Sequence, residues 1–401
     1  ILESQTGEEY HIHLYEKNPS LGRKILISGG GRCNVTTGID DKNILSTKYT
    51  RGWDFIKKSM GVFGPRKVRE WFEGHGVPLS IESDARVFPA SHKGEDIVSA
   101  FESVFEKNRD KITLHYSQRV TGIESENNHY KITHDSGIQY SDVLVITTGG
   151  NAYRHTGSSG DGYAFAQSLG HTITPLGPSL SSFHVEQSWI HDLSGLVFPS
   201  ARLILRDASS VTGSLLLTHF GISGPLAFMT ASELAWTKIE RTHPYDILFC
   251  PLSDMDYNSW DTFLKDRFTL HPKKTLSTIL SEVLPKKFVH SFLNLYFPEM
   301  NELFVSSISR INREKLATLL GKGILLTLLE RRAGDEFVTA GGVSTDELSP
   351  LTMESLIHKN LYFAGEILNV DGYTGGYSLQ LCWSSGYSVA REIIIRLNTK
   401  V

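Results

Sequence analysis

The sequence predicts an α/β fold, a nucleotide-binding domain interrupted by an inserted segment. Two observations predict it. First, apolar, β-branched runs end in glycine on either side of the middle of the chain: "VLVITTGG" (143–150), "EFVTAGGV" (336–343) and "LYFAGE" (361–366). Runs of that kind suit strands buried on both faces, and glycine or acid at their carboxyl ends suits a ligand at the switch point of a parallel sheet. Second, the stretch between these runs has a different pattern, strand-like from Leu203 to Phe220 and mainly helical from Asp254 to Gly321.

The elements follow in order. "HIHLYEKN" (11–18) reads as a short strand ending in Glu16. His11 and His13 share one face of it by the period of two. Two histidines alone make a poor metal site, and no metal site is assigned. "KILISGGGRCNVTT" (24–37) places three bare glycines before an arginine, a thiol, an amide and two hydroxyls. From "DDKNILSTKY" (40–49) to "REWFEGHG" (69–76) the pattern is polar and mostly helical. Its Lys48, Arg51, Lys57, Lys58, Arg66, Lys67 and Arg69 read as a solvated face. Lys111–Gly150 reads as a strand and then a β-meander, with turns at Asn127-Asn128 and Ser136-Gly137. "TGSSGDGYAFAQSLGH" (156–171) sets glycines before a short helix, and "SLQLCWSSGYSVAREIIIRL" (378–397) closes as a helix with near-3.6 apolar spacing.

Composition narrows the function classes. The chain has 401 residues, 40% hydrophobic and 21% charged, with a formal net charge of -4. That charge gives no electrostatic case for general nucleic-acid binding. Cys33, Cys250 and Cys382 lie far apart with no CxxC pair, which suggests a reducing compartment, hence the cytoplasm. No apolar run approaches the roughly 20 residues of a membrane span, and no signal peptide is visible.

The triple glycine is neither common phosphate cradle. Gly29 and Gly31 fit the first two positions of G-x-G-x-x-G, but Asn34 stands at the third, and no Walker string G-x-x-x-x-G-K-[ST] occurs. Serine hydrolysis is also disfavoured. "HFGISGP" holds Ser223 between glycines near His219, without the G-x-S-x-G elbow. What remains is a ligand met by bare backbone and by carboxylates, Glu16 and Glu366, that accept from sugar or polyol hydroxyls.

"GRKILISGGGRCNVTT" (22–37) resembles the signature of the BaiN/HI0933-like family of NAD(P)/FAD-dependent oxidoreductases. "DARVFPASHKGEDIVSA" (84–100), "TTGGNAYRHTGSSGDGYAFAQSLGH" (147–171), "LLLTHFGISGP" (215–225), "EFVTAGGVSTDELSPLTMESL" (336–356) and "LYFAGEILNVDGYTGGYSLQLCWSSGY" (361–387) resemble its other blocks, in family order. The resemblance implies a Rossmann-like FAD/NAD(P)-binding domain interrupted by a small β-domain and a helical insert. On this basis residues 1–180 and 341–401 would be the two parts of the FAD-binding domain. Residues 181–250 would be the β-domain, 251–322 the helical subdomain and 323–340 the return through the β-domain. Family members begin with a strand and a Gly-rich loop, whereas only "ILESQTGEEYHI" precedes the Glu16 strand here. An N-terminally truncated member is therefore expected.

The resemblance also implies roles. Glu16 would hold the adenosine ribose, with Lys17 beside it. Gly22, Arg23 and Lys24 would line the adenine and diphosphate side. Gly29, Gly30, Gly31, Arg32, Cys33 and Asn34 would wrap the flavin-proximal part. Val120 would lie near adenine, and Thr148, Gly149 and Gly150 would pack against the cofactor. Gly365 and Glu366 would meet the diphosphate and ribityl chain. Asp371, Gly375, Gly376, Tyr377 and Leu379 would approach the isoalloxazine. His219, Tyr373 and Tyr377 are the candidates for proton handling, with a turn-bracing His219 as the plainer alternative. Cys33, lacking a partner thiol, reads as a buried spectator more than a redox group. The implied reaction is reduction of a conjugated C=C (an enone) in a small organic molecule, with NAD(P)H as donor. Amine oxidation is the alternative. A non-catalytic protein binding a nucleotide, or RNA through the Lys48–Arg69 face, is the rival class.

Overall fold

In the computed structural model, which describes every residue except 5, 7, 8, 333, 335, 374, 400 and 401, the run that ends in Glu16 forms the strand Ile12–Glu16. It pairs in parallel with Ile112–Tyr116, Ile12 opposite Ile112 and Glu16 opposite Tyr116. A second parallel pair joins Leu144–Ile146 to Leu361–Phe363. Leu361, Tyr362 and Phe363 are each 0% exposed, which is why their sequence is continuously apolar rather than alternating. Gly177–Ser179 pairs antiparallel with Val338–Ala340. All of these strands belong to the first of two units, Ile1–Ser179 with Glu336–Val401.

The meander Val120–Glu126, His129–His134, Gly137–Ser141 is built by local chemistry. Asn127 and Asn128 both adopt positive φ, 49° and 66°, the conformation a two-residue hairpin turn requires and asparagine tolerates. The second turn lies one residue earlier than its Ser-Gly pair suggests. Gly137 is already paired with His134, and Asp135 and Ser136 make the connection. The closing helix, Gly375–Thr399, packs on the helix Trp53–Val62. It buries Gln380, Leu381, Ser384, Ser385, Ser388 and Val389 at helical spacing. Gln380 Nε2 and Ser384 Oγ donate to the carbonyl of Phe63, at 3.1 and 2.7 Å. They thereby satisfy an acceptor that the end of the Trp53–Val62 helix leaves open.

The second unit, Leu180–Asp335, is a closed six-stranded barrel with helices packed on it. Around the barrel the order is Phe183–Val185, Gly221–Ser223, Ser210–Thr218, Val197–Ile204, Tyr245–Cys250 and Ile324–Arg331, which pairs back to the first. Alternation places Val211, Leu215 and Leu217 inside. Closure leaves no free sheet edge. Phe198, Phe249 and Phe288 meet edge to face in the core, with centroids 5.2–6.2 Å apart. The helices Tyr257–Leu270, Leu276–Leu280 and Arg310–Lys322 are capped by the side chains of Asp256, Thr275 and Ser309, which accept the N–H groups left free at a helix start. Lys286–Tyr296 contributes Phe288, Val289, Phe292 and Leu293 to the core. Among the described residues, no helix is long and apolar enough to cross a membrane.

A buried histidine gives the first unit a pH dependence. His171 is 3% exposed. Its Nδ1 lies 3.1 Å from Glu347 and its Nε2 2.8 Å from Ser355 Oγ. Burial lowers its pKa below the ordinary 6.5, outweighing the Glu347 carboxylate, which raises it. The unfolded chain therefore takes up a proton near pH 6.5 that the folded chain refuses until lower pH. The stabilisation is complete above that pH and is lost as the pH falls toward the folded value. Urea midpoints measured from pH 7.5 down to 5.5 should fall for the wild type, and the fall should be shallower in His171→Gln. Equal slopes would exclude this residue as the source.

Candidate functional site

The glycine loop is set by backbone conformation. After the short helix Arg23–Ile27, Gly29, Gly30 and Gly31 all take positive φ, 57°, 70° and 88°. L-residues adopt this region at a cost. A Cβ on Gly29 would stand 2.9 Å from the amide of Asn34 and 3.1 Å from Phe88, whereas one on Gly30 would meet nothing within 4 Å. Gly29 is thus a packing glycine, and Gly30 presents open backbone. Cys33, also at positive φ, is buried, and burial pushes its thiol up to about 11. A thiol held protonated in this way is a poor nucleophile. Arg32 lies over the Phe88 ring at 3.9 Å and pairs with Glu82 at 2.8 Å. Asn34 Oδ1 accepts from the Val87 amide, and its amide group lies against Gly376, where a Cβ would approach to 2.6 Å.

A second cluster forms at the carboxyl ends of the parallel strands Leu144–Ile146 and Leu361–Phe363, of which the second is buried throughout, whereas Val145 of the first is exposed, contrary to the burial on both faces that its apolar run suggests. Glu366, 9% exposed, accepts from Lys24 Nζ at 2.5 Å and from the Thr339 amide at 3.0 Å. Gly150 lies against it. A Cβ there would meet Thr339 Oγ1 at 2.6 Å and Glu366 Oε1 at 2.9 Å. Thr339 Oγ1 in turn accepts from the Asn151 amide at 2.7 Å. Gly149 and Gly365 have φ of 74° and 83°. Gly365 donates to Ser385 Oγ and lies over Cys382, whose thiol burial pushes up to about 12. Thr148 packs against Gly162, where a Cβ would fall 1.9 Å from its Oγ1. The buried Asn151 Oδ1 of this region has no hydrogen-bond partner among the described residues, and the buried Tyr163 phenol lies near Thr339 and Glu366.

The remaining predicted residues are placed as follows. Glu16 Oε1 accepts from the amide and side chain of Asn18, both at 2.8 Å. Lys17 reaches Asp161 at 3.0 Å. Gly22 packs on Val98, and Arg23 donates to Asn18 Oδ1. Val120 opens the meander. Asp371, 1% exposed, is paired with Arg51. Gly375 opens the last helix, and Leu379 packs beside the cluster that holds Cys33 and Phe72. Tyr377 is half-buried and accepts from Tyr49 through its carbonyl, and burial raises its phenol above the ordinary value. The Tyr373 amide donates to the Lys48 carbonyl. His219 belongs to the second unit, exposed at the barrel turn and edge-on to Phe220.

The fold thus brings Lys24, Gly150 and Glu366 together in one group, and Gly29, Asn34 and Gly376 in another. Thr339, Asn151 and Tyr163 join the first group without having been singled out from the sequence. The only signal for Thr339 was its place in the strand-then-glycine run "VTAGG" (338–342).

The two kinds of glycine can be told apart. Gly30→Ala should cost about 1–2 kcal/mol, the αL penalty alone. Gly29→Ala should cost about 1–3 kcal/mol more, because the Asn34 amide and Phe88 must also move. Denaturant midpoints of the two variants measure the difference, and equal losses would contradict the packing role of Gly29.

The family model described as HI0933-like protein Rossmann domain matches residues 3–392. A 3-dehydro-bile acid delta(4,6)-reductase of Clostridium scindens is 28% identical over 396 residues, covering 98% of this chain and 94% of that protein. A ribosomal RNA dihydrouridine synthase of Escherichia coli is 27% identical over 404 residues, covering 98% and 94%. One of the same name from Haemophilus influenzae is 27% identical over 389 residues, covering 95% and 92%. With open glycine backbone and a buried carboxylate at its parallel strand ends, and a family match over nearly its whole length, the chain belongs to the HI0933-like Rossmann domain family.

Proposed function

We propose that this protein is an FAD-dependent oxidoreductase that reduces a carbon–carbon double bond conjugated to a carbonyl, with NAD(P)H as electron donor. The observation that carries this is the grouping of Gly150, Thr339, Glu366 and Lys24 at the carboxyl ends of parallel strands. Open α/β sheets bind dinucleotides beyond the carboxyl ends of their strands, and the chain belongs to a Rossmann domain family. The residues fit the group. At Gly30 a Cβ would meet nothing within 4 Å, and Asn151 Oδ1 is a buried acceptor with no partner among the described residues. Glu16, at its strand end, suits ribose hydroxyls, and Glu366 suits the ribityl chain.

When bound, FAD supplies hydride transfer between the nicotinamide and the carbon β to the substrate carbonyl. The chain's part is to hold the cofactor, exclude water and deliver a proton to the α carbon. His219, Tyr373 and Tyr377 are the groups proposed for that proton. The C. scindens relative is named for a bile-acid reductase and the E. coli relative for a dihydrouridine synthase. These names are chemically close, since the uracil 5,6 bond is also a C=C conjugated to a carbonyl. Those rRNA names favour a second substrate, a uridine in RNA. An amine oxidase has no comparable support among these relatives.

The deciding experiment is anaerobic reduction of the flavin-loaded protein by NADH or NADPH. Reoxidation is then followed with a steroid-like enone, a uridine-containing RNA, an amine-derived imine and oxygen. Reoxidation by none of the conjugated C=C acceptors would sink the proposal. Glu366→Gln keeps the side chain's shape and removes its charge. FAD affinity should fall ten- to hundredfold, about 1.5–3 kcal/mol of charge-assisted hydrogen bonding. Fluorescence titration of the apoprotein measures this, and unchanged affinity would remove Glu366 from the cofactor site. His219→Ala should slow reoxidation by substrate with FAD content intact. Loss of FAD from that variant would make His219 structural.

A further inference from the structure

The strand pair at the N-terminal end of the first unit gathers imidazoles on one face. Ile12, Leu14, Ile112 and Leu114 turn one face of Ile12–Glu16 and Ile112–Tyr116 into a buried apolar cluster with Val104 and Phe105. The period of two then puts His13, Tyr15, Thr113 and His115 on the opposite face. His11, one residue before the strand, joins them there. His13 Nδ1 lies 3.0 Å from His115 Nε2. The ring centroids of His11 and His13 are 5.0 Å apart, and those of His13 and His115 are 5.3 Å apart. Tyr15 stacks on His115 at 4.4 Å with an interplanar angle of 6°, and His134 lies 4.9 Å from Tyr15 on the meander side.

Those separations are close to what one metal ion imposes on its ligands. Two imidazoles at the usual Zn–N distance of about 2.0–2.1 Å in a tetrahedral site have nitrogens about 3.3 Å apart and ring centroids about 5 Å apart. His11 Nε2 is already 2.7 Å from Thr113 Oγ1. Metal-bound histidines usually have such a partner on the second ring nitrogen, and it leaves Nδ1 as the ligating atom. As they stand, no three histidine, cysteine or carboxylate donors among the described residues close around one point. His13 and His115 are the preset pair. His11 is exposed, so turning its ring to complete the set disturbs no core packing.

We propose that His11, His13 and His115 form a site for a divalent transition-metal ion such as Zn2+, Cu2+ or Ni2+, with a fourth position open to water. Imidazoles select this class, whereas Mg2+ and Ca2+ take oxygen ligands. No carboxylate lies on this face of the two strands, since Glu16 falls on the other parity. The Tyr15 stack fixes the plane of His115, and the Thr113 hydroxyl lies within reach of the His11 ring. The site is independent of the flavin proposal and is read out without it.

The test is titration of the chelator-stripped protein with Zn2+ by calorimetry and with Co2+ by visible absorption. One equivalent should bind, and Co2+ should give the intense visible bands of a tetrahedral site. His13→Ala and His115→Ala should each weaken binding by about tenfold or more, and Thr113→Val by about tenfold, with circular dichroism unchanged. His243→Ala, in the second unit, serves as the control and should bind as the wild type does. No binding near one equivalent, or full affinity in both His13→Ala and His115→Ala, would overturn the proposal and leave the pair as a hydrogen-bonded histidine contact alone.

Discussion

The carboxylate of Glu366 is the interaction on which the first unit's site depends. It is 9% exposed and joins three segments far apart in sequence: the short helix before the glycine loop through Lys24, the returning strand through the Thr339 amide, and the Gly150 turn by direct packing. A carboxylate taken that far out of water must be paired and hydrogen-bonded, or its burial costs several kcal/mol. The pairing therefore constrains the backbone as much as the backbone constrains the pairing. Gly150 has no side chain because the Thr339 hydroxyl and the Glu366 oxygen already fill that volume. Gly365 takes φ +83°, turning the chain so that Glu366 follows directly on the buried strand Leu361–Phe363. One charge, two glycines and a backbone amide thus set the geometry of the strand ends.

What the sequence made legible was local. The Asn127-Asn128 turn, the continuously apolar strands and the long closing helix follow from short-range pattern, and each forms where that pattern places it. The triple glycine was visible as a loop, but which glycine packs and which stands open depends on Phe88 and Asn34. Closure of the barrel was not legible. It needs Phe183 to pair with Arg331, 148 positions later, and no local signal marks that partner. The same limit hid Thr339 and His115. Each is an ordinary strand residue until register places it, Thr339 beside Glu366 and His115 beside His13. Arg32 shows the converse. The family resemblance sets it at the flavin-proximal wall, and in the fold it pairs with Glu82 and lies over the Phe88 ring.

Open and filled backbone divide the glycines by role. Where a Cβ would strike backbone, as Gly221 would strike the Phe183 carbonyl at 2.4 Å, glycine lets two strands of the barrel approach. Where it would meet nothing, as at Gly30, glycine leaves amide surface uncovered in a loop held by its own turn. Uncovered amides at positive φ are suited to an anionic or carbonyl-bearing ligand.

The two substrate names among the relatives ask little difference of the reaction and much of the surface. Under the proposed reaction an enone ring and a uracil ring would each accept hydride β to a carbonyl and a proton beside it, so either reading asks for the same kind of cofactor wall and proton donor. Recognition differs. A steroid-like ring is held by apolar area, at about 25 cal/mol per Å² removed from water. An RNA is held largely by phosphate contacts whose strength falls steeply with salt. The chain as a whole is slightly acidic, so phosphate contacts would have to be local. The helices Trp53–Val62 and Pro65–Gly74 carry exposed Lys57, Lys58, Arg66 and Lys67. Arg69 is turned inward to Asp40 and the Thr37 carbonyl, and so adds little to that face. Four cations on two short helices amount to a modest anchor. An RNA substrate held there would show a salt slope of at most about four phosphates, and a small enone almost none. Ionic strength thus separates the two substrates where the chemistry of reduction does not.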